Sequence, residues 1–454
     1  MHLWFNIKAN RSKIFPTLQT EGSMTKIRFI DLFSGIGGMR LALEQAAHSQ
    51  NIETECILSC EINKDADLVY QKNFGHAALG DIRLIEKLPG HDFLIAGFPC
   101  QSFSYAGKKE GFCDTRGTLF FEIMRLIDTY KPQAFIFENV RGLYTHDNGR
   151  TIATIQYEIQ QRGYSFDAFL LNSANFGLPQ NRVRIYLVGI LGHSPTFSLV
   201  SDVGPRDSHS YNPQQLCLFQ PLQTPITVAD ILEDNPDDKY DCSVEFVKAL
   251  QRIFNHDLNR LHGVRVIDYR GGNSIHSWEL GLRGECNHDE IELMNRFILK
   301  RRNKEFGKHQ DGKLLSLEQI ESFFYHPNIE EIIDSLVTKK YLQIVNHKYK
   351  PVAGNFSFEV YKFLDPNKIS VTLVASDVNR LGIYHNGRVR RLTPREAARL
   401  QGFPDSFILH PNDDKAYHQL GNSVSIPVVR TVAQEVIENL YQQGRRVNPV
   451  LLQS

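Results

Sequence analysis

An open α/β fold built on a parallel sheet is the architecture this sequence predicts, and two features predict it. Short apolar runs alternate with helical patterns from Lys26 to Ile190. Apolar strands separated by helices imply βαβ units, hence a parallel sheet covered on both faces. A glycine-rich turn, Phe33-Ser34-Gly35-Ile36-Gly37-Gly38, links the first apolar run to the first helical pattern.

Taken in order, Lys26–Phe33 reads as a buried strand, Gly38–Ala47 as a helix and Thr54–Cys60 as the next strand. Asp92–Phe98 and Gln133–Phe137 are further strands, with a helix around Leu119–Tyr130 between them, and Arg182–Ile190 closes the run. From Gly192 to Thr224 Pro, Ser, Asp and Gln become frequent, which marks a long connection or the loop-rich start of a second domain. Three helix starts then follow in capping-box spacing: Asn287 with Glu290, Ser316 with Gln319, and Asn328 with Glu331. Ile329, Ile332, Ile333 and Leu336 form one apolar stripe. Tyr341–Val345 and Lys348–Val352 flank Asn346-His347, which suits a hairpin turn. Three helices and a hairpin match the order of a winged helix, and equally an ordinary helical insert. Near the end, Thr393-Pro394-Arg395-Glu396 opens a helix that Gly402 and Pro404 stop, and Ile426–Tyr441 is a last amphipathic helix.

Composition narrows the class. The 454 residues are 42% hydrophobic and 22% charged, as in ordinary globular chains of two or three domains. Lys+Arg and Asp+Glu both total 51, so any nucleic-acid footprint must be local. Seven cysteines at irregular spacing, with no CxxC pair, indicate neither a zinc site nor a disulfide framework and suit a reducing cytosol. No stretch approaches the roughly 20 apolar residues that cross a bilayer. Residues 1–23 lack a signal-peptide core; they are expected to be a disordered leader, with Met24 an alternative start.

The chemistry-bearing residues gather at predicted strand ends. Glycines after the first strand allow a sharp turn and close approach of a ligand, and Glu61, ending the second strand, is placed to bind ribose hydroxyls. The G-x-G-G spacing is not the full dinucleotide fingerprint; alone it fits a nucleoside-containing ligand, a dinucleotide included, or a bare tight turn. Gly97-Phe98-Pro99-Cys100-Gln101-Ser102-Phe103-Ser104 follows a buried strand, at the sheet edge where open α/β folds place their sites. Glu138-Asn139-Val140 ends the next strand, and Gln180-Asn181-Arg182-Val183-Arg184 begins another with two arginines on one face. The tail supplies Gln419-Leu420-Gly421-Asn422-Ser423-Val424.

Together these motifs resemble the cytosine-5 DNA methyltransferase family, and they occur in family order. FIDLFSGIGG stands at 29–38, Glu61 follows, and GDI stands at 80–82. GFPCQSFS at 97–104, ENV at 138–140 and QNRVRIYLVG at 180–189 come next; RLTPREAARLQGFP at 391–404 and QLGNSVSIPV at 419–428 end the series. The motifs cover Ile27–Ile190 and Arg391–Tyr441, about half the chain. The resemblance implies a Rossmann-like S-adenosylmethionine-dependent methyltransferase fold with a smaller inserted target-recognition domain. It divides the chain into a catalytic and cofactor-binding domain at 24–192, a target-recognition domain at 193–390 and a segment at 391–445 completing the first.

The resemblance also assigns roles. Cys100 would add as a thiolate to carbon-6 of cytosine, making carbon-5 enamine-like. Glu138, kept protonated by burial, would stabilise charge on nitrogen-3, and Arg184, supported by Arg182, would clamp the ring. S-adenosylmethionine, converted to S-adenosylhomocysteine, would be held by Asp31, Phe33, Gly35, Gly37, Glu61, Ile62, Asp81, Ile82, Pro99, Leu119, Asn422 and Ser423, with no metal. Because the target is stacked in duplex DNA it must be flipped out, with Gln101–Thr118 as the closing loop. Gln101, Ser104, Thr372 and Leu373 would contact DNA. Lys108, Lys109 and Arg116, then Lys300-Arg301-Arg302, Lys304 and Lys339-Lys340, are phosphate candidates or solvated charges; Arg270, Asn273 and Arg283 are candidates for base edges. The expected setting is a cytoplasmic monomer in a bacterial restriction–modification system, with a separate cognate endonuclease. A transfer-RNA methyltransferase on the same fold and a non-enzymatic DNA-binding protein are the alternatives.

Overall fold

The computed structural model describes residues 26–99, 118–202, 226–268, 273–307, 314–352 and 358–442. Its main sheet has six strands: β1 (Lys26–Leu32), β2 (Glu53–Cys60), β3 (Phe93–Ala96), β4 (Ala134–Val140), β5 (Asp167–Asn172) and β6 (Val183–Ile190). They lie in the order β2-β1-β3-β4-β6-β5. β3 is buried at every position, as its unbroken apolar sequence requires. Helices α1 (Gly38–His48), α2 (Lys64–Phe74), α3 (Thr118–Tyr130) and α4 (Arg150–Gln160) supply the crossovers.

The sheet departs from the expected all-parallel arrangement at one strand. β1 to β4 are mutually parallel, but β6 runs antiparallel to both β4 and β5. Only the short connection 173–182 separates β5 from β6, and a parallel return needs a crossover of about a dozen residues or more. An apolar run carries no information about direction, so the sequence could not reveal this reversal.

The chain's end returns to the same sheet. The helix Ile426–Gln442 packs beside α1, its Val428, Val432 and Val436 sharing one buried cluster with Ala42, Leu43 and Ala46. Gln434 Nε2 donates to Ser49 Oγ at 2.9 Å across that contact. The intervening chain forms a five-stranded sheet with its own core and, from Trp278 to Leu342, a separate helical core. There the helices His288–Lys300, Leu317–Glu321 and Ile329–Thr338 precede the two-stranded hairpin Leu342–Val345/Lys348–Pro351, and Leu315 makes an isolated antiparallel bridge to Tyr349. That is the winged-helix order. Asn346 and His347 turn the hairpin with positive φ at both positions.

The capping boxes at Asn287, Ser316 and Thr393 form as the sequence implies. The one expected at Asn328 does not: its side chain caps nothing, and its N–H donates to His326 Nδ1 at 3.1 Å. The Thr393 box also has a tertiary role. Glu396, fully buried, accepts two hydrogen bonds from Arg390 at 2.7 and 2.8 Å and one each from the Thr393 and Glu233 N–H groups. Breaking a buried pair strands a charge, so Arg390→Met is expected to cost about 3–5 kcal/mol. Denaturant unfolding measures this, and a loss below about 1 kcal/mol would show that Glu396 finds other donors.

Candidate active site

The strand order reverses about β1, with β2 on one side and β3 on the other, and a cleft opens at the carboxyl ends of the strands there. Its wall is built from the turn after β1 (Phe33, Ser34, Gly35, Ile36), from Glu61 and Asn63 after β2, from Gly97 after β3 and from Glu138 of β4. His418, Gln419, Asn422, Ser423 and Val424 close it from the returning C-terminal segment.

The turn is wound tightly by left-handed backbone at Phe33 (φ 55), Gly35 (φ 54) and Gly37 (φ 90). At Phe33, which has a Cβ, this conformation costs roughly 1–2 kcal/mol. Gly37 is required twice over, since a Cβ there would lie 2.1 Å from the Phe74 ring. Glu61 locks the turn: one carboxylate oxygen accepts from the Gly35 N–H at 2.8 Å and the other from the Asn63 N–H at 2.7 Å. Asn63 in turn caps α2. Ser34 Oγ and Gln419 Nε2, on opposite walls, are buried without a hydrogen-bond partner. Buried polar atoms left unpaired mark where a ligand supplies the missing bonds. With the Glu61 carboxylate and the Phe33 ring, they form a donor set that fits a nucleoside bearing a polar, charged tail.

The remaining expected cofactor residues, Asp31, Ile62, Asp81, Ile82, Pro99 and Leu119, are not among those lining the cleft. Asp31 is wholly buried in β1 behind it, and burial pushes its pKa up to about 8 against the opposing charge of Arg40. Asp81 caps the following turn and pairs with Arg83, whose hydrogen bonds hold its carboxyl below the usual range. Ile62 is 76% exposed, Ile82 is buried, Pro99 is exposed and Leu119 is half-buried. Sequence reasoning missed Ser34 and His418 as cleft residues. The i, i+4 spacing of His418 and Asn422 on one helix was the available signal, and their side chains approach to 3.4 Å.

At the cleft's inner end Glu138 and Arg184 form an ion pair, Oε1 to Nε at 3.3 Å, with both side chains mostly buried. Burial raises the Glu138 pKa, and the charges of Arg184 and then Arg182 oppose that rise. The next residue, Asn139, donates to the Phe98 carbonyl at 2.9 Å and so ties the end of β4 to the approach of the Pro99-Cys100 loop. Cys100, Gln101, Ser104, Lys108, Lys109 and Arg116 lie outside the described residues, as do Arg270 and residues 1–23.

Arg182 proves to be a structural clip more than a surface clamp. It is 2% exposed, and its guanidinium donates to the carbonyls of Leu373 (2.8 Å), Gly421 (3.3 and 3.4 Å) and Ser423 (2.5 Å). Burial pulls its pKa down to about 9, which leaves it cationic at neutral pH. Gln180 works beside it, accepting from the Leu373 N–H and donating to the Leu400 carbonyl. The Thr372 hydroxyl is held by the Asn181 carbonyl at 2.6 Å, and the Leu373 side chain is fully buried, so it packs in the core and offers no surface to a ligand. Lys339, expected among the phosphate candidates, is instead bound at 2.7 Å by both oxygens of buried Glu290. Arg283 is likewise engaged with the Lys340 carbonyl. Among the described residues no group of His, Cys, Asp or Glu is arranged to hold a metal ion, and no helix is long and apolar enough to cross a membrane.

Comparison with known proteins extends these observations. Residues 27–438 match the model for the C-5 cytosine-specific DNA methylase family. The chain is 55% identical to the Type II methyltransferase M.BanI of Aneurinibacillus aneurinilyticus over 94% of its length and all of that protein. It is 54% identical to the Type II methyltransferase M.HgiCI of Herpetosiphon aurantiacus over 91% of its length and 98% of that one. A prophage-encoded E. coli protein described as a DNA modification methyltransferase shares the fold, with a TM-score of 0.50 and 22% identity over 91% of this chain and 99% of its own. A cleft walled by the FSGIG turn, Glu61, Glu138 and the GNSV segment is thus carried on a chain that belongs to the C-5 cytosine-specific DNA methylase family.

Proposed function

We propose that this DNA cytosine-5 methyltransferase works through Cys100 as nucleophile, Glu138 as proton donor to the ring and Arg184 as its clamp, on a cytosine flipped out of the duplex. The observation that carries this reading is the cleft itself. Gly97, three residues before Cys100, and Glu138 line one cavity at the rim of the sheet. The family match is to a DNA methylase, which decides the substrate against the transfer-RNA alternative and the reaction against a purely binding role.

S-adenosylmethionine, when bound, supplies an electrophilic methyl group on a sulfonium. The residues that fit it are Glu61 for the ribose hydroxyls, Phe33 for the adenine face, and Ser34, Gln419, Asn422 and Ser423 for polar atoms of the tail. The chain's own part is then proton and charge management. Thiolate addition at carbon-6 moves electron density toward nitrogen-3 of the pyrimidine. A neutral Glu138 carboxyl donates its proton there, and burial keeps that proton on at higher pH than usual. Arg184, its Nε 3.3 Å from the Glu138 Oε1, fixes the carboxyl's orientation. The later loss of the carbon-5 proton lets the sulfur leave. Similarity to Type II methyltransferases supports a role in a restriction–modification system, with double-stranded DNA as substrate and a separate endonuclease acting on the same site. We place it in the cytoplasm as a monomer, one chain carrying the cleft and the family's motifs together.

Cys100→Ser is expected to abolish methyl transfer while duplex binding persists, and 5-fluorocytosine DNA should trap wild-type protein covalently, because fluorine blocks the elimination. Normal turnover of the variant would remove Cys100 from the chemistry. Glu138→Gln should lower kcat by about 10²–10⁴, the range for a lost general acid. The pH profile offers a finer check. Because the protonated carboxyl is the active form, kcat/KM should fall as pH rises through the Glu138 pKa. Arg184→Gln removes the opposing cation and should move that limb to higher pH; a limb that moved down would contradict the pairing. Glu61→Gln should weaken S-adenosylhomocysteine binding at least tenfold, about 1.4 kcal/mol, by calorimetry, and unchanged affinity would free Glu61 of that role.

A further inference from the structure

The helical insert with its hairpin divides its charge between two neighbouring elements. The helix Ile329–Thr338 buries Ile329, Ile332, Ile333 and Leu336, and its outer face presents Glu330, Glu331 and Asp334, all exposed. The segment from Lys339 to Val352 that forms the hairpin holds four lysines, one histidine and no acid. Strand pairing sets Lys348 opposite Val345 and Lys350 opposite Gln343. Alternation therefore puts both lysines on one face and Tyr349, with buried Pro351, on the other. The acids lie toward that second side: burial, then the charges of Asp334 and Glu330, push the Tyr349 hydroxyl up. Lys348 is exposed, and among the described residues neither Lys348 nor Lys350 has an acidic partner, unlike Lys339 with its Glu290.

We infer that this insert meets duplex DNA with the outer face of its hairpin, Lys348 and Lys350 lying on the phosphate backbone, while the helix Ile329–Thr338 is turned away from the DNA. A helix placed in the major groove runs between two rows of phosphates, where three exposed carboxylates, with no basic partner among the described residues, repel; two lysines on an outward strand face attract. The insert thus contributes affinity and footprint without reading sequence, because phosphate contacts carry no base information. This inference rests on the DNA substrate proposed above.

The test uses the full chain and a mixed-sequence duplex of about 40 base pairs, with affinity measured by fluorescence anisotropy across a salt series. Each phosphate contact contributes about 0.9 to the slope of log affinity against log salt, so K348Q/K350Q should flatten it by about 1.8. The double variant should bind several-fold more weakly at low salt, with the melting temperature unchanged. K348R/K350R, which keeps the charge, should restore both slope and affinity. E330Q/E331Q/D334N should leave affinity within about twofold, the effect of distant charges being screened beyond roughly 10 Å. An unchanged slope in K348Q/K350Q would overturn the inference. So would a triple variant that binds markedly tighter with a steeper slope, since that would put the helix at the DNA. Methyl transfer by the wild type, measured alongside, separates these outcomes from failure of the methyltransferase reading: an enzyme that methylates DNA with its lysine-variant slope unchanged loses only the present inference.

Discussion

A single buried guanidinium holds the active site together. Arg182 enters the core as a cation, and its desolvation is offset by carbonyl oxygens at Leu373, Gly421 and Ser423 and by the nearby charge of Glu138. Those three carbonyls belong to two segments far away in sequence. Neither can leave without stranding a charge, so the 370–375 stretch, the GNSV turn and the start of β6 are held in one arrangement. Gly421 shows how close that arrangement is, because a Cβ there would meet the backbone of Ala375 at 2.4 Å. The cleft follows from it: β6 pairs with β4 to set Glu138, and the clipped C-terminal segment supplies the facing wall.

Within that frame the site is prepared at some energetic cost. Phe33 is held in a left-handed conformation, Asp31 is fully buried, and Ser34 and Gln419 keep unpaired polar atoms. Such features persist where the surrounding structure over-determines them, and they cluster at functional sites. Glu138 is balanced in the same spirit. Burial favours its neutral form while two arginines favour the anion, a balance that suits the proton-donor role proposed for it.

The inserted region follows a different logic. Its helical core, with Trp278, Phe297 and Leu336 at the centre, is separate from the clusters around the main sheet. Charge on its last helix and hairpin is segregated by element, acids on Ile329–Thr338 and lysines on the hairpin, within a chain of zero net charge. A neutral total therefore conceals a strongly directional local field, which is the quantity a polyanion senses.

Much of this protein was determined by local sequence. The buried strands, α1, the last helix and the boxes at Asn287, Ser316 and Thr393 depend on contacts within a few residues, and periodicity and capping residues encode those directly. The order of chemical motifs likewise named Glu138, Glu61 and the GNSV turn as partners before any coordinates. Only the tertiary structure decided the direction of β6, since an apolar run is the same read either way. It also separated the two arginines of one motif, making Arg182 a buried tether and Arg184 the partner of Glu138, and it committed Lys339 to Glu290 instead of to solvent. Those outcomes depend on which distant carbonyl or carboxylate arrives beside a side chain, and sequence spacing does not carry that information.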